Sequence, residues 1–227
     1  MSDTDRSAPE SSAGLPSGYF ETRYTPDPHR RATWAHIVAY LERWIPSTSR
    51  VLELGAGYCD FSNNVTATRR VAMDTAADVK GHTDPGVEAE VGDCTDLSRF
   101  DDASFDVVFA SNLLEHLDRE QCVTLLTETR RVLAPGGRII LLQPNFRLNP
   151  GEYFDDYTHV QIFTDRSLPD FLVSEGYAVT AVEGRFLPLT MKSRFSGLTF
   201  LVPWYLKSPV KPMAGQMLVV AERPPTP

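Results

Sequence analysis

The apolar run Arg50–Leu54 ends in the turn Gly55-Ala56-Gly57, and an acid, Glu53, sits one residue before the run stops. Glycine lets backbone N–H groups approach a ligand closely, and a helix N-terminus beyond such a turn favours negative charge. The pattern predicts that this turn leads from a strand into a helix. Further apolar runs follow at Arg69–Met73, Val87–Val91, Phe105–Ala110 and Arg138–Leu142, with helical spacing between several of them. Strands separated by helices require crossover connections, and therefore a parallel sheet covered on both faces.

The flanking segments agree with that plan. Trp34, Ile37, Val38, Leu41 and Trp44 recur at helical spacing between Pro28 and Ile45, and Pro46 stops that helix. Asp118 is placed to cap a helix reaching about Leu133, with Val123, Leu126, Thr129, Arg130 and Leu133 on one face and Pro135-Gly136-Gly137 ending it. Thr164 or Asp165 starts another helix that stops before Gly176, and Tyr177–Glu183 and Gln216–Ala221 read as the last two strands.

Two more acids sharpen the reading. Asp74 follows the second strand, 21 residues after Glu53, where an acid can hold a ribose diol. Asp93 follows the third strand in Gly92-Asp93-Cys94. All three acids fall at carboxyl ends of strands, the ligand-binding edge of an open parallel sheet. A dinucleotide fingerprint needs glycine at position 60, but Asp60 stands there and would repel a pyrophosphate. A phosphate-free ligand with a cationic centre suits this setting better than a nicotinamide dinucleotide.

These blocks resemble the class I S-adenosylmethionine-dependent methyltransferases, particularly the small-molecule type. The segments that carry the resemblance are VLELGAG (51–57), VAMD (71–74), GDCTDL (92–97), SFDVVFASNLLEHL (104–117) and RVLAPGGRIILLQPN (131–145), in order across roughly residues 50–180. The resemblance implies a Rossmann-like, seven-stranded, mostly parallel α/β sheet with an antiparallel last strand, and S-adenosylmethionine as cofactor. It also implies roles by position. Glu53 and the backbone at Gly55 and Gly57 hold the methionine portion, Asp74 the ribose hydroxyls, and Asp93 the adenine amino group beside the Cys94 backbone. Ala110, Ser111 and Asn112 face the sulfonium. Cys59 stands where many relatives have a third glycine.

Methyl transfer from a sulfonium mainly requires alignment and exclusion of water, and an alcohol or phenol acceptor benefits from a base. His116 follows the fourth strand. His159 lies in the long loop Gln143–Phe163, and loops of that length tend to be functional. Both are candidate catalytic residues, with His159 the stronger as base or acceptor contact. Asp155 and Asp156 beside His159 offer metal ligands, but adjacent carboxylates rarely converge, so no metal is expected. Tyr19, Phe20, Arg23 and Tyr24 precede the first helix and can fold over the cofactor, with Arg23 meeting its carboxylate. Cys59, Cys94 and Cys122 show no metal or disulfide spacing and read as small buried residues in a reducing cytosol.

Charge divides the chain. Its 227 residues carry a net −8, which ranks general nucleic-acid binding low. Arg185–Lys211 holds five cations, no acid and many aromatic residues, so it carries +5 and the remainder −13. This insert reads as a cap over the acceptor site, a weak membrane-surface contact, or a packed subdomain or dimer contact. Residues 1–18, rich in Ser, Pro and Gly, read as a disordered tail without a signal peptide, and no transmembrane run is seen. The expected organisation is a single methyltransferase domain over 19–227, with lid and first helix at 19–46, cofactor core at 50–183, insert at 184–213 and last strand at 214–222. The expected reaction is O-methylation of a small-molecule acceptor, sugar-containing or another secondary metabolite. Nitrogen, carbon or lipid-linked acceptors and a noncatalytic binding role are the alternatives.

Overall fold

The computed structural model describes residues 29–188 and 199–225. The proposed tail, the lid residues Tyr19, Phe20, Arg23 and Tyr24, and insert residues 189–198 lie outside them. In chain order the strands are β1 (Arg50–Leu54), β2 (Arg69–Asp74), β3 (Glu88–Val91), β4 (Phe105–Ser111), β5 (Leu133–Pro144), β6 (Ala178–Glu183) and β7 (Gln216–Glu222). The helices are α1 (Arg30–Leu41), α2 (Val79–His82), α3 (Arg119–Val132), α4 (Ser167–Ser174) and α5 (Val202–Lys207).

The strands form one sheet in the order β3-β2-β1-β4-β5-β7-β6. β1 pairs in parallel with both β2 and β4, so chain connections diverge on either side of it. That divergence opens a crevice at the carboxyl ends of β1 and β4. β7 runs antiparallel to β5 and β6, as the resemblance implies. The start of β7 therefore lies beside the end of β5, Gln216 opposite Pro144, and the insert that precedes it emerges at the ligand-binding edge.

Central strands are apolar on both sides because both faces are covered. Val108, Ala110, Ile139, Leu141, Met217 and Val219 pack with α3 and α4 on one face. Val107, Phe109, Ile140, Leu142, Leu218 and Val220 pack on the other with Ile37, Val38 and Leu41 of α1. Leu206 of α5 joins this second cluster, so the insert closes over α1 rather than standing free. Phe200 and Trp204 of the insert remain exposed. No helix among the described residues is long and apolar enough to cross a membrane.

Several boundaries move for physical reasons. The turn after β1 does not enter a regular helix. Residues 57–64 form consecutive turns, with only isolated helical bonds such as Asn63 N–H to the Cys59 carbonyl. Cys59 has φ 57°, outside helical space, and the Asn64 amide donates to the Asp60 carbonyl. The anion-binding helix end expected there is absent. Pro135-Gly136-Gly137 does not end α3 but lies within β5, where the register jumps from Phe105–Leu133 to Val107–Arg138 as a bulge. The buried face of α3 is Cys122, Leu125, Leu126, Thr129 and Val132, with Arg130 outside.

Asp118 caps α3 as expected. Its carboxylate accepts from Gln121 N–H and the Gln121 side chain accepts from Asp118 N–H, a reciprocal capping box. Asp118→Ala should lower unfolding free energy by about 1 kcal/mol in urea titrations. A change below a few tenths of a kcal/mol would show that tertiary packing alone sets the start of α3.

Candidate functional site

The turn after β1 is held in a left-handed path. Gly55 and Gly57 have φ 67° and 50°, and Cys59 repeats the left-handed conformation. A side chain at Gly55 would meet Leu113 Cδ1 at 3.0 Å, so glycine here lets the loops after β1 and β4 close on each other. Cys59 occupies its strained position fully buried, consistent with the missing third glycine.

Carboxylates brace this path from below. Asp74 at the tip of β2 accepts from Gly57 N–H at 2.8 Å and Ala76 N–H at 2.9 Å through different oxygens. A carboxylate has about four acceptor directions, so each oxygen retains one. Asp93 accepts from Thr95 N–H and Oγ1 through Oδ1 alone. The retained acceptors suit a ligand presenting hydroxyl and amino donors, as a nucleoside does. Cys94 is buried beside Asp93. Asn112, left-handed at φ 50°, follows β4 and accepts from the Gln216 amide at 2.8 Å. Donor chemistry and glycine positions thus fit the nucleoside cofactor implied by the resemblance.

Glu53 is placed differently from Asp74 and Asp93. It is buried, and Oε2 accepts from Ser62 N–H at 3.0 Å and Ser62 Oγ at 2.6 Å. Burial pushes its carboxyl up to about 8, although the Ser62 bonds pull the other way. Near neutral pH the Glu53 carboxyl is therefore largely uncharged and acts as a strut for the turn. Asp60 is not an open anion, because Arg30 of α1 forms an ion pair with it. The repulsion expected for a pyrophosphate is correspondingly reduced, so Asp60 does not by itself exclude one.

Opposite the turn, loops after β4 and β5 bring two histidines together. The His116 and His159 rings meet edge-on with centroids 5.0 Å apart. The Glu115 carbonyl accepts from Val160 N–H at 2.8 Å and Gln161 N–H at 3.1 Å, which pins the later loop to the short 3-10 turn after β4. Tyr153 is buried beneath His159, with ring centroids 4.7 Å apart, and donates to the Gln161 carbonyl.

Hydrogen bonds set the tautomers. His159 Nδ1 lies 2.6 Å from the Tyr153 carbonyl, which only accepts, so Nδ1 carries the proton. Thr158 Oγ1 donates to Asp156 Oδ1 at 2.6 Å and so accepts from His116 Nδ1 at 2.9 Å. Both neutral rings then have their lone pair on Nε2. Burial, reinforced by His159, pushes His116 down to about 4. Asp156 Oδ1 accepts from Thr158 N–H and Oγ1, and among the described residues His159 groups with Glu115 and His116 as candidate metal ligands rather than with Asp155 and Asp156.

Glu115 joins the two histidines as a site residue that no sequence motif singles out. It is buried with Oε2 lacking a hydrogen-bond partner, and burial pushes it up to about 8. An acid inside the apolar run Leu113-Leu114-Glu115-His116-Leu117 was the signal available. Gln143 at the end of β5 is likewise buried with both amide atoms unpaired. The three cysteines are free and buried, and burial pushes each thiol up to about 12.

The insert forms a separate cavity of about 450 Å³ lined by Tyr40, Arg43, Glu183, Arg185, Lys207 and Lys211. β6 lies four strands from β1, or about 19 Å at ordinary strand spacing, so this cavity is not the crevice above the glycine turn. Its positive charge is partly cancelled, since Lys211 is buried and bonds Glu183 Oε2 at 2.9 Å.

A family model described as a methyltransferase domain matches residues 48–141. No curated protein matches the chain. Among solved structures, it is similar to a SAM-dependent methyltransferase from Archaeoglobus fulgidus, with TM-score 0.63 and 18% identity over 85% of this chain and 94% of that one. An S-adenosylmethionine-dependent methyltransferase from Mesorhizobium loti gives TM-score 0.59 and 17% identity over 85% and 98%. The [4+2]-cyclase SpnF gives TM-score 0.61 and 18% identity over 85% and 81%. At these identities the structures speak for the fold alone.

The Glu53 environment generates a pH test. A folded-state carboxyl near 8 keeps its proton after the unfolded one, near 4.5, has lost it, so stability falls as pH rises between those values and then levels. Relative to Glu53→Gln, which does not titrate, the native chain should lose unfolding free energy from about pH 5 to about pH 8. Denaturant melts across that range measure it, and a pH-independent difference would contradict a neutral Glu53.

Proposed function

We propose, from the premise that this chain is a class I S-adenosylmethionine-dependent methyltransferase, that its acceptor is a small molecule methylated on oxygen. The cofactor supplies a methyl group already activated on a cationic sulfur. The chain's own work is to bind, align and handle the acceptor proton. Asp74 holds the ribose hydroxyls and Asp93 the adenine amino group, with the Cys94 backbone beside the ring. The backbone at Gly55 and Gly57, carried by Glu53, receives the methionine portion, and Asn112 borders the crevice on the β4 side.

The observation that carries the oxygen assignment is the His116–His159 pair. Its Nδ1 hydrogens are committed to the Tyr153 carbonyl and Thr158, so the proton-accepting nitrogens are Nε2. His159, in the long loop after β5, is assigned as the base, with its Nδ1 proton held by the Tyr153 carbonyl. The acceptor hydroxyl gives its proton to His159 Nε2 while its oxygen bonds the methyl carbon. The bond from that carbon to sulfur breaks, and its electron pair stays on sulfur. An amine or carbon acceptor makes less use of this arrangement. A sugar-containing or other secondary metabolite, made in a biosynthetic route, fits a crevice edged by polar groups. Buried thiols and a net −8 favour a cytosolic setting without nucleic-acid binding, and exposed Phe200 and Trp204 support weak contact of the insert with a lipid surface.

Calorimetry with S-adenosylhomocysteine tests the cofactor half. Asp74→Ala should weaken binding about 10- to 100-fold, the scale of hydrogen bonds to a charged group. No binding to the unmodified chain refutes the reading. For the acceptor half, His159→Ala should bind S-adenosylhomocysteine normally yet slow methyl transfer about 100-fold, followed as product release with a panel of hydroxylated acceptors. Unchanged turnover removes His159 from catalysis.

A further inference from the structure

We infer that Glu115, His116 and His159 form a binding site for a divalent transition-metal ion beside the acceptor. This rests on the reading of the loops after β4 and β5 as the acceptor side. One ligating atom from each of the three residues lies within 4.8 Å of the others. Two imidazole nitrogens and one carboxylate oxygen are the mixed set that suits Zn²⁺, Co²⁺, Mn²⁺ or Fe²⁺.

Three features favour an ion over a chance cluster. The tautomers are set so that both Nε2 atoms bear lone pairs, and a backbone carbonyl and a Thr158–Asp156 relay hold the other ring nitrogens. That arrangement orients metal-bound histidines and raises their basicity. Glu115 is buried with one carboxylate oxygen unpaired, a costly arrangement that a cation relieves. The backbone is also already closed, because Val160 and Gln161 bond the Glu115 carbonyl and draw His159 toward His116. Ligand atoms on a tetrahedral ion stand ~3.4 Å apart at ~2.1 Å from the metal, so the three side chains need to close by at most about 1.4 Å to hold one.

Three protein ligands leave coordination positions for the acceptor. An acceptor chelating through adjacent oxygens, such as a vicinal diol or a catechol-like phenol, fits them. The ion lowers the pKa of a bound hydroxyl, so the oxygen enters methyl transfer already deprotonated, its proton lost to solvent. With the ion bound, His159 holds metal instead of taking the proton. The two arrangements are separable by experiment.

The test uses the full chain stripped with a chelator and titrated with Co²⁺, read by visible absorption, and with Zn²⁺, read by calorimetry. One equivalent should bind the native chain. His159→Ala and Glu115→Gln should each weaken binding more than about 100-fold, and Thr158→Val, which touches only the histidine's partner, about 10-fold. S-adenosylhomocysteine binding to the same stripped samples reports folding and tests the cofactor reading separately. Stoichiometric metal binding lost in these variants while S-adenosylhomocysteine still binds supports the site. Metal binding with equal affinity in native chain and variants, or none at millimolar metal in a chain that binds S-adenosylhomocysteine, overturns it. If His159→Ala fails to fold, Glu115→Gln, which keeps shape and bulk, decides.

Discussion

The left-handed turn after β1 is the constraint on which the site depends. Gly55, Gly57 and Cys59 take positive φ within five residues, and so tight a path persists only because its surroundings hold it. Asp74 bonds Gly57 from the neighbouring strand, while Glu53 bonds Ser62 from beneath. β1 lies between β2 and β4, so the turn sits where chain connections diverge. Leu113 closes against Gly55, which links the cofactor turn to the loop bearing Glu115 and His116. Strand order, turn geometry and the acceptor side are thus parts of one arrangement.

The acids at the strand tips are not equivalent. Glu53 is buried and pushed toward neutrality, whereas Asp74 and Asp93 are anchored by backbone N–H groups and keep acceptor capacity to spare. The negative character seen by a cationic ligand rests on Asp74 and Asp93. Asp60, which looked like a lone repulsive charge, is matched by Arg30 from α1. Toward the β6 edge of the sheet, Lys211 of the basic insert is turned inward onto Glu183 and the ring of Tyr40. Ion pairing therefore softens both halves of the charge division, and the crevice is defined more by directed hydrogen-bond acceptors than by net field.

Much of the architecture was legible in the chain. Apolar runs spaced by helical patterns specified a parallel sheet, because a strand buried on both faces must be apolar on both sides, as Val107 to Ala110 are. Asp118 announced the start of α3 through its reciprocal pairing with Gln121. The turn with its partner Asp74 was equally visible, since strand tips follow directly from strand ends. Local signals failed where neighbouring structure competed. A helix expected after Gly57 became a series of turns, because Cys59 leaves helical space and asparagine side chains capture backbone groups. Pro135-Gly136-Gly137 became a strand bulge, because Gly136 and Gly137 exchange backbone hydrogen bonds with Arg223 just beyond β7.

By itself the sequence determined the order of the strands, the glycine turn with its acids at strand ends, and the resemblance these carry. These depend on residues near one another in the chain, where period and spacing are direct readouts of backbone geometry. Only the tertiary structure decided that Glu53 is a buried strut, that Asp60 is paired, and that Glu115, His116 and His159 converge. Those facts depend on which strands become neighbours and how a long loop folds back onto the turn after β4. Side chains from separate loops meet through space, under burial and hydrogen-bond constraints that no repeat along the chain encodes.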